Sequence, residues 1–349
     1  MPFVSRHCDV TEVLLPICYF LVEGRKDPSK VGLMYLCTFM LLKFSGERNF
    51  GVALNTPFTT RLTIDIPSLT GNYADLLVVV LHKMIVSGIG KLSALYNCFL
   101  TIICNISPYC KAFSTVAAVK LVNLFQLFTS PRFLYASEGN HVYVSMLLET
   151  FNNIIQYQYE GNYNIVYAIM RRRELFEALA ALTLPAATQS AQAVAEGAVG
   201  PAGGKKATKA RRGSSTSSTS DLAAETEPQE RPRKAGAKFA PNQAWLTAVK
   251  AELPLNTIVR LLRHLTPQVD EMFAIEAAVD EKKVLDFIRS TTMVGLLPVP
   301  HPIVIRKYQP NKYTCLWFTA FQWGVIYMHN QEVPIFDGRN VKLFMVESV

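Results

Sequence analysis

The chain has 349 residues, half of them hydrophobic and only 18% charged, enough apolar material for a sizeable buried core, so a wholly disordered protein is excluded. Its formal charge of +8 invites an anionic partner, yet residues 185–241 alone hold nine Lys/Arg against five Asp/Glu, so half the surplus lies in one polar tract. The six histidines are dispersed without metal-ligand spacing, and no Gly-rich phosphate cradle, nucleophile elbow or Cys/His arrangement is present, so the sequence offers no catalytic, metal or cofactor-binding residues.

From the start to about Leu184 the pattern predicts helices joined by short loops. Pro16, Asp27-Pro28, Asn55-Thr56-Pro57, Pro67, Gly71-Asn72, Ser107-Pro108, Ser130-Pro131 and Gly161-Asn162 punctuate apolar blocks long enough for helices. The most apolar stretches, Leu33 to Leu42, Leu76 to Val86 and Leu92 to Ile106, fall short of the roughly 20 residues a spanning helix needs. In Val142 to Tyr159, Leu147, Leu148, Phe151, Ile154, Ile155 and Tyr159 form one stripe, which predicts an amphipathic helix. Asn152, Asn153, Gln156 and Gln158 lie largely off that stripe and are candidates for interhelical hydrogen bonds.

Ser45 to Ile66 is the exception. Arg48 to Asn55 and Phe58 to Ile66 alternate polar and apolar residues around Pro57, which predicts a short hairpin or ordered loop. Phe50 and Phe58 are its candidate partner-binding residues, set against a loop that merely covers a helix end. Cys98, Cys104 and Cys110 recur every six residues, about 120° apart around a helix, so they read as buried small hydrophobes and not as a ligand set. Arg171-Arg172-Arg173 has no aromatic interleaving for nucleic acid and reads as a solvated helix face.

Residues 185–241 change character to Ala, Gly, Ser, Thr, Pro and Lys, too poor in apolar groups to offset ordering entropy, and are expected to be a disordered insertion. Within it, Ser214 and Ser215 follow two arginines and are candidate phosphorylation sites. Lys205, Lys206, Lys209, Arg211 and Arg212 are candidate contacts to anionic lipid. Order is expected to return at 242–349. Pro254 divides Trp245 to Leu265 into two helical pieces, Thr266-Pro267 reads as a helix start, and Asp280-Glu281 opens a short amphipathic helix through Ile288. Pro298, Pro300 and Pro302 then impose an extended path. The aromatic block Trp317, Phe318, Phe321, Trp323 and Tyr327 reads most simply as a short irregular cap over the last apolar surface, and otherwise as a partner patch built on Trp317, Phe321 and Trp323.

The runs Leu148 to Asn162 and Gly295 to Gln309, with Ser45 to Val52, Asp75-Leu76-Leu77-Val78, Ile106-Ser107-Pro108-Tyr109, Asn164 to Ile169 and Val341 to Phe344, resemble the C-terminal half of the high-temperature-induced dauer formation protein 1 family, related to dymeclin. The resemblance implies a non-enzymatic peripheral scaffold at the Golgi and trans-Golgi that supports cargo sorting into regulated, dense-core secretory granules. It implies partners among secretory-pathway proteins, weak or indirect membrane association, and no nucleic acid or small-molecule substrate. The alternative is a cytosolic adaptor that binds protein partners without membranes. Helix density and the resemblance together predict a mainly α fold, an armadillo- or HEAT-like α-solenoid over 1–184, the insertion 185–241 and a helical 242–349. Members of this family are N-myristoylated, which needs Met-Gly, whereas this chain begins Met1-Pro2, so a truncated or diverged form without that lipid is expected.

Limited proteolysis should cut first within 185–241 and leave two fragments that stay associated; early cutting within Leu92 to Ile106 would contradict this organisation.

Overall fold

The computed structural model describes residues 10–60, 64–67, 69–87, 90–184, 186–189, 239–275, 280–309 and 311–332, so nearly all of the expected insertion lies outside the described residues. The described part is mainly helical. The first helix of the described residues, α1 (Val10–Gly24), runs through Pro16, which the sequence pattern takes as a break. Leu14, Ile17, Cys18, Leu21 and Val22 are buried along one stripe. Burying several such side chains, at about 1.5–3 kcal/mol each, outweighs the roughly 3 kcal/mol cost of an interior proline.

Asp27 accepts a hydrogen bond from the Ser29 amide and turns the chain into α2 (Val31–Ser45). Arg48 to Asn55 does not form the expected extended arm. Arg48–Ala53 is a short helix, α3, because Phe50 turns inward and stacks on Phe44 at 5.7 Å between ring centroids. The strand pairing is also more distant than a local hairpin: β1 (Pro57–Phe58) runs antiparallel to β2 (Gly71–Asn72), with Pro57 opposite Asn72 and Phe58 opposite Gly71.

Next come α4 (Tyr73–Ser87), α5 (Tyr96–Ile106), α6 (Thr115–Thr129), the single turn α7 (Pro131–Leu134) and α8 (His141–Tyr157). They are followed by α9 (Tyr163–Arg171) and α10 (Arg173–Ala180). Beyond the insertion lie α11 (Gln243–Glu252), α12 (Asn256–Ile275), α13 (Glu281–Ser290) and α14 (Lys312–Glu332). Asn242 caps α11 and Asp280 caps α13, as their residue types favour. Thr266-Pro267 does not start a helix. It lies inside α12, carried through by the buried stripe Leu261, Leu262, Leu265 and Val269.

The helices pack in two rows. Along one, α1 meets α4, α4 meets α6, α6 meets α9 and α9 meets α13; along the other, α2 meets α5, α5 meets α8 and α8 meets α12. The rows are joined where α1 meets α2, α4 meets α5 and α6 meets α8. Phe125, Phe151 and Phe176, from α6, α8 and α10, are fully buried, and Phe125 stacks on Phe176 at 4.4 Å. The described residues through Ile305 form one compact unit, so those before and after residues 190–238 share a core; the described residues from Arg306 onward belong to a second unit.

His82 on α4 is buried and its pKa is pushed down to about 4, first by burial and then by Lys120. It stays neutral in the fold, whereas the unfolded chain takes up a proton as pH falls through 6.5. The unfolded state then binds more protons, so this group's contribution is lost as pH drops from 6.5 to about 4 and is level below that. Denaturant unfolding of His82→Gln across that window should show a shallower pH dependence than the parent chain.

Candidate interaction surface

The connector 107–114 runs from α5 to α6 with Ser107, Pro108, Cys110 and Phe113 buried. It belongs to no long helix or strand, so its backbone groups need partners from elsewhere. Side-chain amides supply them. The carbonyls of six consecutive residues accept in turn: Pro108 from Gln158, Tyr109 from Asn55, Cys110 and Lys111 from Asn162, Ala112 from Asn72, and Phe113 from Asn164. Its amides are held as well. Lys111 N–H donates to Asn55 Oδ1 at 2.7 Å, Phe113 N–H to Asn162 Oδ1 at 2.9 Å, and Ser114 N–H to Asp75 Oδ1 at 2.8 Å.

Asparagine suits this task because a neutral amide both donates and accepts, pairing with a peptide group without burying charge. Asp75 is the one carboxylate involved, and burial raises its pKa while the amides of Asn72 and Ser114 oppose the shift. Asn72 and Asp75 cap α4 reciprocally: Asn72 Oδ1 accepts from the Asp75 amide, and Asp75 Oδ2 from the Asn72 amide, both at 2.9 Å. Gly161 lets the next loop close on the connector, since a Cβ there would lie 2.0 Å from the Lys111 carbonyl oxygen.

The polar side of α8 receives the chain beyond the insertion. Ser145 Oγ donates to the Glu252 carbonyl, Asn152 Nδ2 to that of Pro254, and Gln156 Nε2 to Thr257 Oγ1. His141 Nε2 lies 2.9 Å from Glu252 Oε2, and Trp245 Nε1 donates to the Glu138 carbonyl. The hydroxyl of Tyr159, its pKa pushed up to about 12 by burial, donates to the Ile288 carbonyl. The Pro-rich run is pinned at His301, whose amide donates to Gln156 Oε1 and whose carbonyl accepts from the Tyr157 hydroxyl.

Beside this seam is an open cleft of about 720 Å³, lined among others by Ile155, Tyr159, Glu160, Arg289, Met293 and Pro298. Gly295, with φ of 78°, turns the chain along its edge. The adjoining ridge leaves Val294 88% and Val299 85% exposed. The cleft offers one guanidinium, one carboxylate, hydroxyls and apolar walls, an arrangement able to hydrogen-bond and cover an extended partner segment. Among the described residues no group of three or more His, Cys, Asp or Glu is placed to hold a metal.

The residues singled out by sequence fall in different places. Phe50 is buried against Phe44 and is not available on the surface, while Phe58 is half-buried edge-on against Tyr73. Phe321 and Trp323 lie on α14, a 21-residue helix where the sequence suggests an irregular cap, and they are 50% and 47% exposed. Tyr313, Leu316, Val325 and Met328 are exposed too; spread around the helix, these side chains form no single stripe for a core to cover. The Trp317 side chain, Ser214, Ser215, Lys205, Lys206, Lys209, Arg211 and Arg212 lie outside the described residues. Cys18, Cys37, Cys104 and Cys110 are buried, but Cys98 is half-buried and Cys315 exposed. Sequence reading takes Asn55, Asn72 and Asn162 only as loop punctuation, although their place beside Gly or Pro at helix ends was a usable signal.

Two rows of helices, amide-clasped connections and open clefts thus make up the described part of the chain. The sequence model of the family described as "Dymeclin: Dyggve-Melchior-Clausen syndrome protein" matches residues 1–325, and the chain belongs to that family. It is 41% identical to Protein HID1 of Mus musculus over 99% of this chain and 51% of that protein. It is 31% identical to Protein HID1 of Dictyostelium discoideum over 96% of this chain and 46% of that protein. A protein of Schizosaccharomyces pombe named "Ubp5-interacting protein ftp105" is 28% identical over 52% of this chain and 20% of its own length. The chain spans about half the length of the HID1 proteins it matches. No solved structure matches it.

Asn162→Ala strips partners from the Phe113 amide and the Cys110 and Lys111 carbonyls, and should lower unfolding free energy by about 3 kcal/mol. Gly161→Ala should cost about 1–3 kcal/mol by overpacking. Urea titration of both variants checks these values.

Proposed function

We propose that this chain is part of a non-enzymatic scaffold, peripheral at Golgi and trans-Golgi membranes, that supports sorting of cargo into regulated secretory granules. The carrying observation is its family membership over residues 1–325. On this reading the two rows of helices are an α-solenoid, which presents long surfaces to protein partners. The cleft beside α13, the ridge at Val294 and Val299, and the exposed Phe321 and Trp323 supply apolar contact area for those partners. Within the 185–241 insertion, phosphorylation of Ser214 or Ser215 would offset the neighbouring basic charge of Lys205, Lys206, Lys209, Arg211 and Arg212.

The second reading is an adaptor that binds protein partners away from membranes. Among the described residues no helix is long and apolar enough to cross a membrane, which both readings accommodate. A relative named for an interaction with Ubp5 supports protein binding under either reading.

Expression of this chain beside a full-length relative, followed by cell fractionation, separates the two. The scaffold reading predicts recovery of both in Golgi-enriched membranes and a granule-content defect rescued by the longer protein. Recovery of both proteins wholly in the supernatant, with no effect on secretion, would leave the adaptor.

A further inference from the structure

Between α6 and α9 lies a recess of about 470 Å³, lined by Val119, Val122, Asn123, Ala168, Arg171 and Arg172. In a continuous helix two successive side chains diverge by about 100°. Here the helix breaks at Arg172, with φ of −123° and ψ of 28°, so Arg171 and Arg172 both line the recess. Arg173 departs on α10 and pairs with Asp270 at 3.1 Å. The run expected to be one solvated helix face is therefore divided between two surroundings.

Arg171 sits with Cζ 5.8 Å from the centroid of the Tyr167 ring and has no carboxylate partner among the described residues. Arg172 approaches Glu174 only to 3.8 Å, with both side chains well exposed, a contact that neutralises little. Asn123 is half-buried, and its amide has no hydrogen-bond partner among the described residues. The recess thus combines two guanidinium forks, a free amide and an apolar floor of Val119, Val122 and Ala168.

We propose that this recess binds an organic phosphate monoester. Planar guanidinium forks match phosphate oxygens in pairs, and a doubly charged monoester suits two arginines better than a singly charged diester. The volume exceeds that of a bare phosphate, which leaves room for the ligand's carbon skeleton against the valines. A lipid headgroup and a free sugar phosphate share this chemistry.

The test uses the whole chain in two arms. One titrates myo-inositol 1-phosphate by calorimetry; the other measures flotation with phosphatidylcholine vesicles carrying phosphatidic acid, compared with phosphatidylserine at equal surface charge. Arg171→Gln with Arg172→Gln should weaken monoester binding at least about tenfold, by loss of the charge-assisted contacts. The charge-matched Lys250→Gln with Lys282→Gln should leave it unchanged, and both doubles should keep the parent melting temperature. Binding in the first arm identifies a soluble ligand, and binding only in the second a lipid headgroup; either supports the site. Equal flotation on phosphatidylserine, equal loss in both doubles, or no binding in either arm would overturn it.

Discussion

The connector 107–114, buried at Ser107, Pro108, Cys110 and Phe113 and exposed at Lys111 and Ala112, carries a run of peptide groups that no long helix or strand serves. Six consecutive carbonyls there accept from side-chain amides of four asparagines and one glutamine. Each bond alone contributes only about 1 kcal/mol, but a buried group left bare costs about 1–3 kcal/mol. The donors come from the end of α3, the start of α4, the end of α8 and the start of α9. Position of these elements relative to one another is thereby tied to one strand of backbone, and the two rows of helices are held in register where α5 passes to α6.

The same logic extends along α8. Its apolar stripe fills the core with Leu147, Leu148, Phe151, Ile154 and Ile155. Its polar side bonds to carbonyls and side chains of the segment beyond the insertion. The described chain resumes at Phe239, and α11, α12 and the turn between them are received by Ser145, Asn152 and Gln156 on α8. The cleft beside α13 inherits one wall from this helix, so the surface proposed for partners rests on the element that closes the core.

Much of this was legible in sequence where a single periodicity decides the outcome. The stripe of α8 and its off-stripe amides gave both a helix and its hydrogen-bonding side; Pro254 marked the gap between α11 and α12, and Asp280 the start of α13. Pro16 and Pro267 misled because tertiary burial of leucine, isoleucine and valine outweighs the local penalty of a proline inside a helix. Arg48 to Ala53 misled for the reverse reason: alternation suggests a strand, but the contact of Phe50 with Phe44 selects a helix. The asparagine clasps and the convergence of Arg171 and Arg172 depend on partners some 40 to 56 residues away or on a local helix break, which no short window contains.

The claim that side-chain amides hold the connector as firmly as helical bonds would is tested most directly by native-state hydrogen exchange at the Phe113 amide, whose partner is Asn162 Oδ1 at 2.9 Å. Protection comparable to that of the core amides of α5 and α6 is the expected result, since opening this bond requires the surrounding helices to separate. Exchange of Phe113 at the rate of an open loop, while α5 and α6 remain protected, would contradict the account.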